Sequence, residues 1–266
     1  MIAPDHAELA YDAFARHYDA FTAHHDYEAW ATTIEQLARL HGQCGNRMLD
    51  VACGTGKSLE PFVRRGYTAV GSDVSQPMLD VAAAKLGPSV RLERHDLREL
   101  PRLGAFDLVC CLDDALNYLL TTDELGAALS GLAANLAPDG FLVFDVNSLR
   151  SYRTFFASLT VVPSQDRVLV WDGQASPAIG AGELAPSLLQ LFERGADGAW
   201  SRRESVHYQR HHPREVVEAA LRRAGLRPFW RYGMRLDGEV SASFSEADNS
   251  KALYIARRGA LEGERR

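Results

Sequence analysis

Between residues 47 and 147, short apolar runs alternate with longer segments whose apolar positions recur every three or four residues. The runs near 47–52, 68–73, 90–94, 106–112 and 141–146 predict strands, and the segments near 57–65, 76–86 and 122–136 predict helices. Strands that are apolar throughout, rather than on alternate residues, indicate a parallel sheet covered on both faces. Right-handed crossovers bring the carboxyl ends of such strands to one edge, where ligands bind.

The flanks follow other periods. Tyr11, Phe14, Tyr18 and Phe21 fall on one helical face, and Tyr27, Trp30, Ile34, Leu37 and Leu40 on another, so residues 8–41 predict two helices. Asp26 suits the cap of the second helix and Gly42 its stop. Residues 151–212 change character. Leu159–Val162, Arg167–Trp171, Leu188–Phe192 and Ser205–Gln209 predict strands, with a hairpin at Ala196-Asp197-Gly198 and a loop over Ser176–Gly182. A helix over 213–224, stopped by Gly225, and strands over 229–235 and 252–257 complete the pattern.

Composition narrows the class. A chain of 266 residues with 46% hydrophobic content can bury a full core. No apolar run approaches the ~20 residues of a membrane helix, and the acidic start Met-Ile-Ala-Pro-Asp-His is unlike a secretory signal. The four cysteines, two of them adjacent, make a poor disulfide framework and fit reduced thiols. A cytoplasmic protein without membrane partners is the expectation. The formal charge of −6 argues against a nucleic-acid partner. The adjacent pairs His24-His25 and His211-His212 send their side chains apart, and no C-x-x-C spacing occurs, so no metal site is expected.

The chemistry concentrates where the first strand ends. Met48-Leu49-Asp50-Val51-Ala52-Cys53-Gly54-Thr55-Gly56 runs from an apolar strand into a glycine turn. The second strand ends in the acid Asp73. Such a strand–turn–helix–strand unit lets a ligand approach bare backbone and gives a ribose diol a carboxylate. A dinucleotide fingerprint would carry a third glycine where this chain has Leu59, so a pyrophosphate cradle is poorly supported.

Leu49–Gly56 resembles the first motif of the class I S-adenosylmethionine-dependent methyltransferases of small-molecule type. Val70–Leu79 is similar to the second, His95-Asp96-Leu97 to the third, Phe106–Cys111 to the fourth strand, and Leu136–Asp145 to the turn and strand that follow. The resemblance covers roughly residues 46–147. It implies an α/β fold: a three-layer doubly wound sheet with an N-terminal helical lid and an antiparallel β insertion. The expected organisation is a lid over 1–42, a cofactor-binding core over 43–150 and 213–258, an insertion over 151–212 above the acceptor site, and a tail over 259–266.

The resemblance also implies the site. The cofactor is S-adenosylmethionine, leaving as S-adenosylhomocysteine. Gly54 and Gly56 line it, Asp73 holds the ribose hydroxyls, and Asp96 with Leu97 meets the adenine. Ala52, Val74, Met78 and Leu112 complete its wall. Asp50 either fixes the glycine loop or meets the methionine ammonium. Tyr11-Asp12-Ala13-Phe14-Ala15-Arg16-His17-Tyr18 resembles the family's lid, in which a tyrosine reaches the cofactor; without the resemblance, the same aromatic stripe reads as core. Asn117 and Tyr118 fall near the acceptor, or Tyr118 packs in the core. Asn147, Tyr152, His207 and Arg210 are candidates for the acceptor wall. His207, whose ordinary pKa suits proton removal near neutrality, is the candidate general base, with Tyr118 and Tyr18 beside it.

Methyl transfer from a sulfonium needs alignment and dryness more than a fixed triad. The expected activity is transfer to nitrogen or oxygen of a small specialised metabolite, such as an amino sugar or a peptide-derived compound, by a monomer or homodimer. Carbon methylation, a non-catalytic S-adenosylmethionine-binding subunit and a nicotinamide oxidoreductase are the alternatives.

Overall fold

The computed structural model describes residue 2 and residues 6–235 and 239–258. The expected tail over 259–266 lies outside the described residues. Five strands, β1 (Arg47–Val51), β2 (Thr68–Asp73), β3 (Arg91–Arg94), β4 (Phe106–Cys111) and β5 (Leu136–Asn147), pair in parallel in the order β3-β2-β1-β4-β5. The antiparallel strands β10 (Leu226–Met234), β11 (Val240–Ser241) and β12 (Lys251–Arg258) extend the sheet beyond β5, with β12 inserted between β5 and β10. The strand order reverses between β1 and β4, which opens a crevice at their carboxyl ends.

Helices cover both faces of this eight-stranded sheet. Leu125 and Leu129 of α6 (Thr122–Ala134) and Val217 and Leu221 of α8 (Arg214–Arg223) pack on Val109, Leu142 and Phe144. Trp30 and Ile34 of α3 (Tyr27–Leu40) and Phe62 of α4 (Glu60–Arg64) pack on Met48, Leu108, Val143 and Ile255. Local signals set the ends. The Asp26 side chain accepts the Ala29 N–H at the start of α3. Ser75 caps α5 (Gln76–Leu86), and Thr121 with Glu124 forms a capping box on α6. Gly225, at φ +73°, terminates α8.

A second, four-stranded antiparallel sheet of β6 (Leu159–Pro163), β7 (Arg167–Gly173), β8 (Leu184–Arg194) and β9 (Trp200–Arg210) forms the insertion. Short α7 (Leu149–Arg153) leads into it from β5. The inner face carries Leu169, Trp171, Leu189 and Leu191, which form one cluster with Phe14, Tyr152 and Phe156.

Some elements differ from the sequence-based expectation. The first expected helix breaks into α1 (His6–Asp12), a short 3-10 turn and α2 (Tyr18–Phe21). The break lets Asp12 accept the Ser75 hydroxyl at 2.5 Å and Asp19 accept the Thr55 hydroxyl at 2.5 Å, so tertiary bonds outweigh helix continuity. Helix α4 starts at Glu60 rather than near 57, because Pro61 suits a first turn and Lys57 and Ser58 are engaged elsewhere. Helix α3 is a layer of the core, not a lid over the strand edge. Strands β8 and β9 run longer than their apolar centres, paired from the Gly198 turn to Arg210.

The central strands carry the fold's stability. Leu253 of β12 is fully buried in the core between sheet and α3. Leu253→Ala is expected to cost about 3 kcal/mol in urea unfolding; a loss below about 1 kcal/mol contradicts this packing.

Candidate active site

Two cavities meet at the carboxyl edge of the parallel strands. The first lies over the turn after β1 and is lined by Ala52, Gly54, Thr55, Asp73, Val74, Met78, Asp96, Leu97 and Leu112. The second lies under the insertion and is lined by Phe14, Phe21, Asp114, Asn147, Trp171, His207 and Lys251, among others. Tyr11, Tyr18, Asp113 and Tyr118 line both and form the wall between them.

The first cavity is made by backbone shape. Ala52 and Gly54 take φ +58° and +51°, and a Cβ built on Gly54 would meet nothing within 4 Å. The turn therefore presents bare backbone to open space. Asp73 is buried at the tip of β2. One of its oxygens accepts the Gly54 N–H at 2.8 Å, and the other accepts the Ser75 N–H at 2.9 Å. Burial raises its carboxyl above the ordinary range, and these N–H groups oppose the rise. Asp96 caps the 3-10 turn Leu97–Glu99 and pairs with its own Arg98 at 3.0 Å. Burial raises that carboxyl, but Arg98 outweighs it and leaves the group below its ordinary value.

The N-terminal segment is bolted to the same turn. The Lys57 ammonium donates to the Thr22 carbonyl and hydroxyl at 2.9 Å each and sits 4.9 Å over the Tyr27 ring. Lys85 reaches Asp19 at 2.7 Å beside the Thr55–Asp19 bond. On the insertion side, Glu193 of β8 holds Arg16 at 2.9 Å and His17 at 3.0 Å.

The wall between the cavities rests on a buried charge cluster that the sequence reading missed. The Lys251 ammonium is 2% exposed and contacts Asp113 at 2.9 Å, Asp114 at 2.7 Å and Asp145 at 2.9 Å. Asp113 and Asp114 both take positive φ, +60° and +55°. Their N–H groups donate to the two oxygens of Asp145 at 2.7 and 2.9 Å, which holds this strained turn. Asp113 also accepts the Tyr18 and Tyr27 hydroxyls at 3.0 and 2.9 Å. Burial would lift the Asp113 carboxyl; Lys251 and then His25 outweigh it and hold the group well below its usual range. Burial, with Asp113 and Asp145 nearby, pushes Asp114 up to about 6 despite Lys251. The signals for this cluster were a lone acid in the apolar run of β5 and a lone lysine opening β12.

Other expected site residues take different places. Gly56 and Asp50 do not line the first cavity. A Cβ on Gly56 would come 2.8 Å from Leu86, so this glycine serves packing behind the turn. Asp50 is fully buried: Ser58 donates to one oxygen at 2.6 Å, the other has no partner among the described residues, and burial pushes the carboxyl to about 7. Asn117, Tyr152 and Arg210 line neither cavity. Asn117 ties Asn147 N–H to the Arg210 carbonyl, Tyr152 reaches Gln209 at 3.1 Å, and the Arg210 guanidinium donates to Leu120 O. Their buried bonds make them struts behind the second cavity rather than its surface.

The general base expected at His207 is not what the geometry gives. Tyr11 donates to the Tyr118 hydroxyl at 3.0 Å, the Tyr118 hydroxyl is 2.8 Å from His207 Nδ1, and Nε2 is 3.1 Å from Ser205. Burial pushes the imidazole down to about 3, too weakly basic to collect a proton near neutrality. Among the described residues, no cluster fit to hold a metal ion occurs and no helix is long and apolar enough to cross a membrane.

A bare glycine turn facing an acid-tipped second strand is a nucleoside site, and the comparisons specify which. A family model described as a methyltransferase domain matches residues 48–140. The chain is 30% identical over 258 residues to the protein named "Putative methyltransferase" of Geobacillus sp. (strain WCH70), covering 94% of this chain and 100% of that one. The chain belongs to the S-adenosylmethionine-dependent class I methyltransferases, and S-adenosylmethionine is its cofactor. It is also 30% identical over 206 residues to the dTDP-3-amino-3,6-dideoxy-alpha-D-glucopyranose N,N-dimethyltransferase of Streptomyces fradiae, covering 76% of this chain and 78% of that one. The solved sugar N-methyltransferase KedS8 of Streptoalloteichus sp. aligns over 97% of each chain with TM-score 0.72 and 25% identity.

The charge cluster makes a direct prediction. Lys251→Met leaves three carboxylates without their cation and is expected to cost about 4 kcal/mol at pH 8. Without Lys251 these carboxyls are raised further, and groups with a raised folded pKa lend stability at low pH that is lost as pH rises, so the deficit should be smaller at pH 5 than at pH 8. Urea unfolding at pH 5 and pH 8 checks it; a pH-independent deficit contradicts the assignment.

Proposed function

We propose that the protein methylates a nitrogen of a small molecule, an amino sugar or a related specialised metabolite, at the junction of the two cavities. The observation that carries this reading is the shared wall of Tyr11, Tyr18, Asp113 and Tyr118. A cofactor in the first cavity and an acceptor in the second would meet there and nowhere else along the described surfaces. S-adenosylmethionine supplies an electrophilic methyl group on a sulfonium.

The chain's own residues align and dry the reaction. In this reading Gly54 and Ala52 form the floor under the cofactor, Asp73 takes the ribose hydroxyls, and Asp96 with Leu97 flanks the adenine. The Tyr11 and Tyr18 rings face the junction, where an aromatic wall favours a cationic centre. The lid bolts at Thr55 and Lys57 hold those rings down and exclude water. Proximity and orientation then supply most of the rate.

The nitrogen reading is supported by the chain's similarity to the N,N-dimethyltransferase of Streptomyces fradiae and to the sugar N-methyltransferase KedS8. The open second cavity favours an enzyme over a cofactor-binding subunit, whose acceptor space would be filled.

Two measurements check this reading. Calorimetric titration should give micromolar binding of S-adenosylmethionine and S-adenosylhomocysteine, about 30-fold weaker in Asp73→Ala, and none of NAD. Mass spectrometry of reactions with D-glucosamine and D-glucose should show methylation on nitrogen of the amine alone. Methylation confined to hydroxyl or carbon, or an unaltered affinity in Asp73→Ala, contradicts the reading.

A further inference from the structure

The second cavity holds two polar features that alignment and dryness leave unassigned. One side of its wall is aromatic: Phe155 stacks on Trp171 at 5.1 Å, Phe21 lies 5.8 Å from the same indole, and Phe14 adjoins Phe21 at 5.6 Å. Trp171 lines the cavity and is 4% exposed, yet its indole N–H has no hydrogen-bond partner among the described residues. A buried donor left unpaired is costly and marks a place for an acceptor atom.

The second feature is Asp114, which lines the same cavity. Its oxygens accept from Lys251 and from the Gln209 amide, which leaves each with an unused lone pair. Asp113 is more fully used, by Lys251, Tyr18 and Tyr27. Three carboxylates share one ammonium in this cluster, so it carries room for a second cation.

We infer that Asp114 receives the ammonium of an amine acceptor and takes one of its protons, while the Trp171 N–H donates to an oxygen on the same molecule. The inference rests on the N-methylation reading. The ammonium N–H bond breaks toward the Asp114 carboxylate, which becomes a carboxylic acid, and the nitrogen keeps the electron pair. That pair forms the new N–C bond as the C–S bond breaks, and the sulfonium electrons return to sulfur. The acceptor is then a compact amine with a ring or chain face for the aromatic wall and an oxygen within reach of Trp171.

The ionisation of Asp114 lies in a working range. Burial pushes it up to about 6, with Asp113 on its own turn and Asp145 on β5 adding to the rise and Lys251 on β12 opposing it. Gln209 faces it from β9, whose His207 lines the same cavity, Tyr152 from α7, Tyr11 from α1 and Tyr118 from the turn that follows, and His25 stands 3.5 Å from Asp113. Burial pushes His207 down to about 3 and the three phenols up, so none of these four changes charge near neutrality. Below about 6 the Asp114 carboxylate is lost, and amine binding should weaken with it.

The test titrates trans-2-aminocyclohexanol, cyclohexylamine and cyclohexanol into protein saturated with S-adenosylhomocysteine, at pH 7.5 and pH 5. Wild type should bind the amino alcohol about tenfold or more tighter than cyclohexanol at pH 7.5, and lose that margin at pH 5. Asp114→Asn should erase the amine margin. Trp171→Phe should keep it but erase the preference for the amino alcohol over cyclohexylamine. If Asp114→Asn fails to fold, the wild-type pH series decides alone. Equal binding of amine and alcohol by wild type, or a margin indifferent to pH and to Asp114→Asn, overturns the inference. The titration needs no turnover, so an amine margin without methylated glucosamine sinks the N-methylation reading instead.

Discussion

Lys251 carries an ammonium into the protein interior, where Asp113, Asp114 and Asp145 converge on it and the Trp30 ring lies 5.2 Å away. Bringing such groups out of water is costly, and their mutual attraction offsets the cost only with good geometry and satisfied hydrogen bonds. Here each carboxylate also accepts from a different direction: Asp145 from two backbone N–H groups, Asp113 from two phenols, Asp114 from one amide. The cluster joins β5, β12, the turn after β4, the lid and β9. Removing one partner would strand the others, so the arrangement specifies one relative placement of all five.

That placement creates the junction. The strained turn at Asp113-Asp114 is held open by Asp145 and leads into the buried 3-10 segment carrying Asn117 and Tyr118. Asn117 then ties that segment to the end of β9 through the Arg210 carbonyl. Tyr18, fixed by Asp113, stands at the same wall as Tyr11 and Tyr118. The first cavity and the insertion are thus connected through one electrostatic node, while Arg16, Asp19 and Thr22 of the N-terminal segment bind Glu193, Thr55 and Lys57.

The parallel sheet was legible because its signals are local. Apolar runs, glycine stops and caps at Asp26 and Ser75 act within a few residues, and the motif order from Leu49 to Asp145 carried the cofactor. The first cavity was legible where backbone shape makes it, as at Gly54 and Asp73. Lys251 escaped because a lysine opening a strand reads as an exposed end, and its partners lie more than a hundred residues away. Periodicity predicts the first of the two N-terminal helices as unbroken because it does not register the pull of Thr55 and Ser75 on Asp19 and Asp12. His207 was read from its ordinary pKa, which burial overturns. Asn117, Tyr152 and Arg210 sit at the right edge of the sheet, but their buried bonds turn them into supports.

The central claim is that two ligands meet at the wall of Tyr11, Tyr18, Asp113 and Tyr118. A crystal structure of the S-adenosylhomocysteine complex tests it most directly. The account predicts ribose hydroxyls on Asp73, adenine beside Asp96 and Leu97, and the sulfur facing the cavity under the insertion between Tyr18 and Tyr118. A ligand seated in the opposite sense, or with its sulfur turned away from that wall, would contradict it.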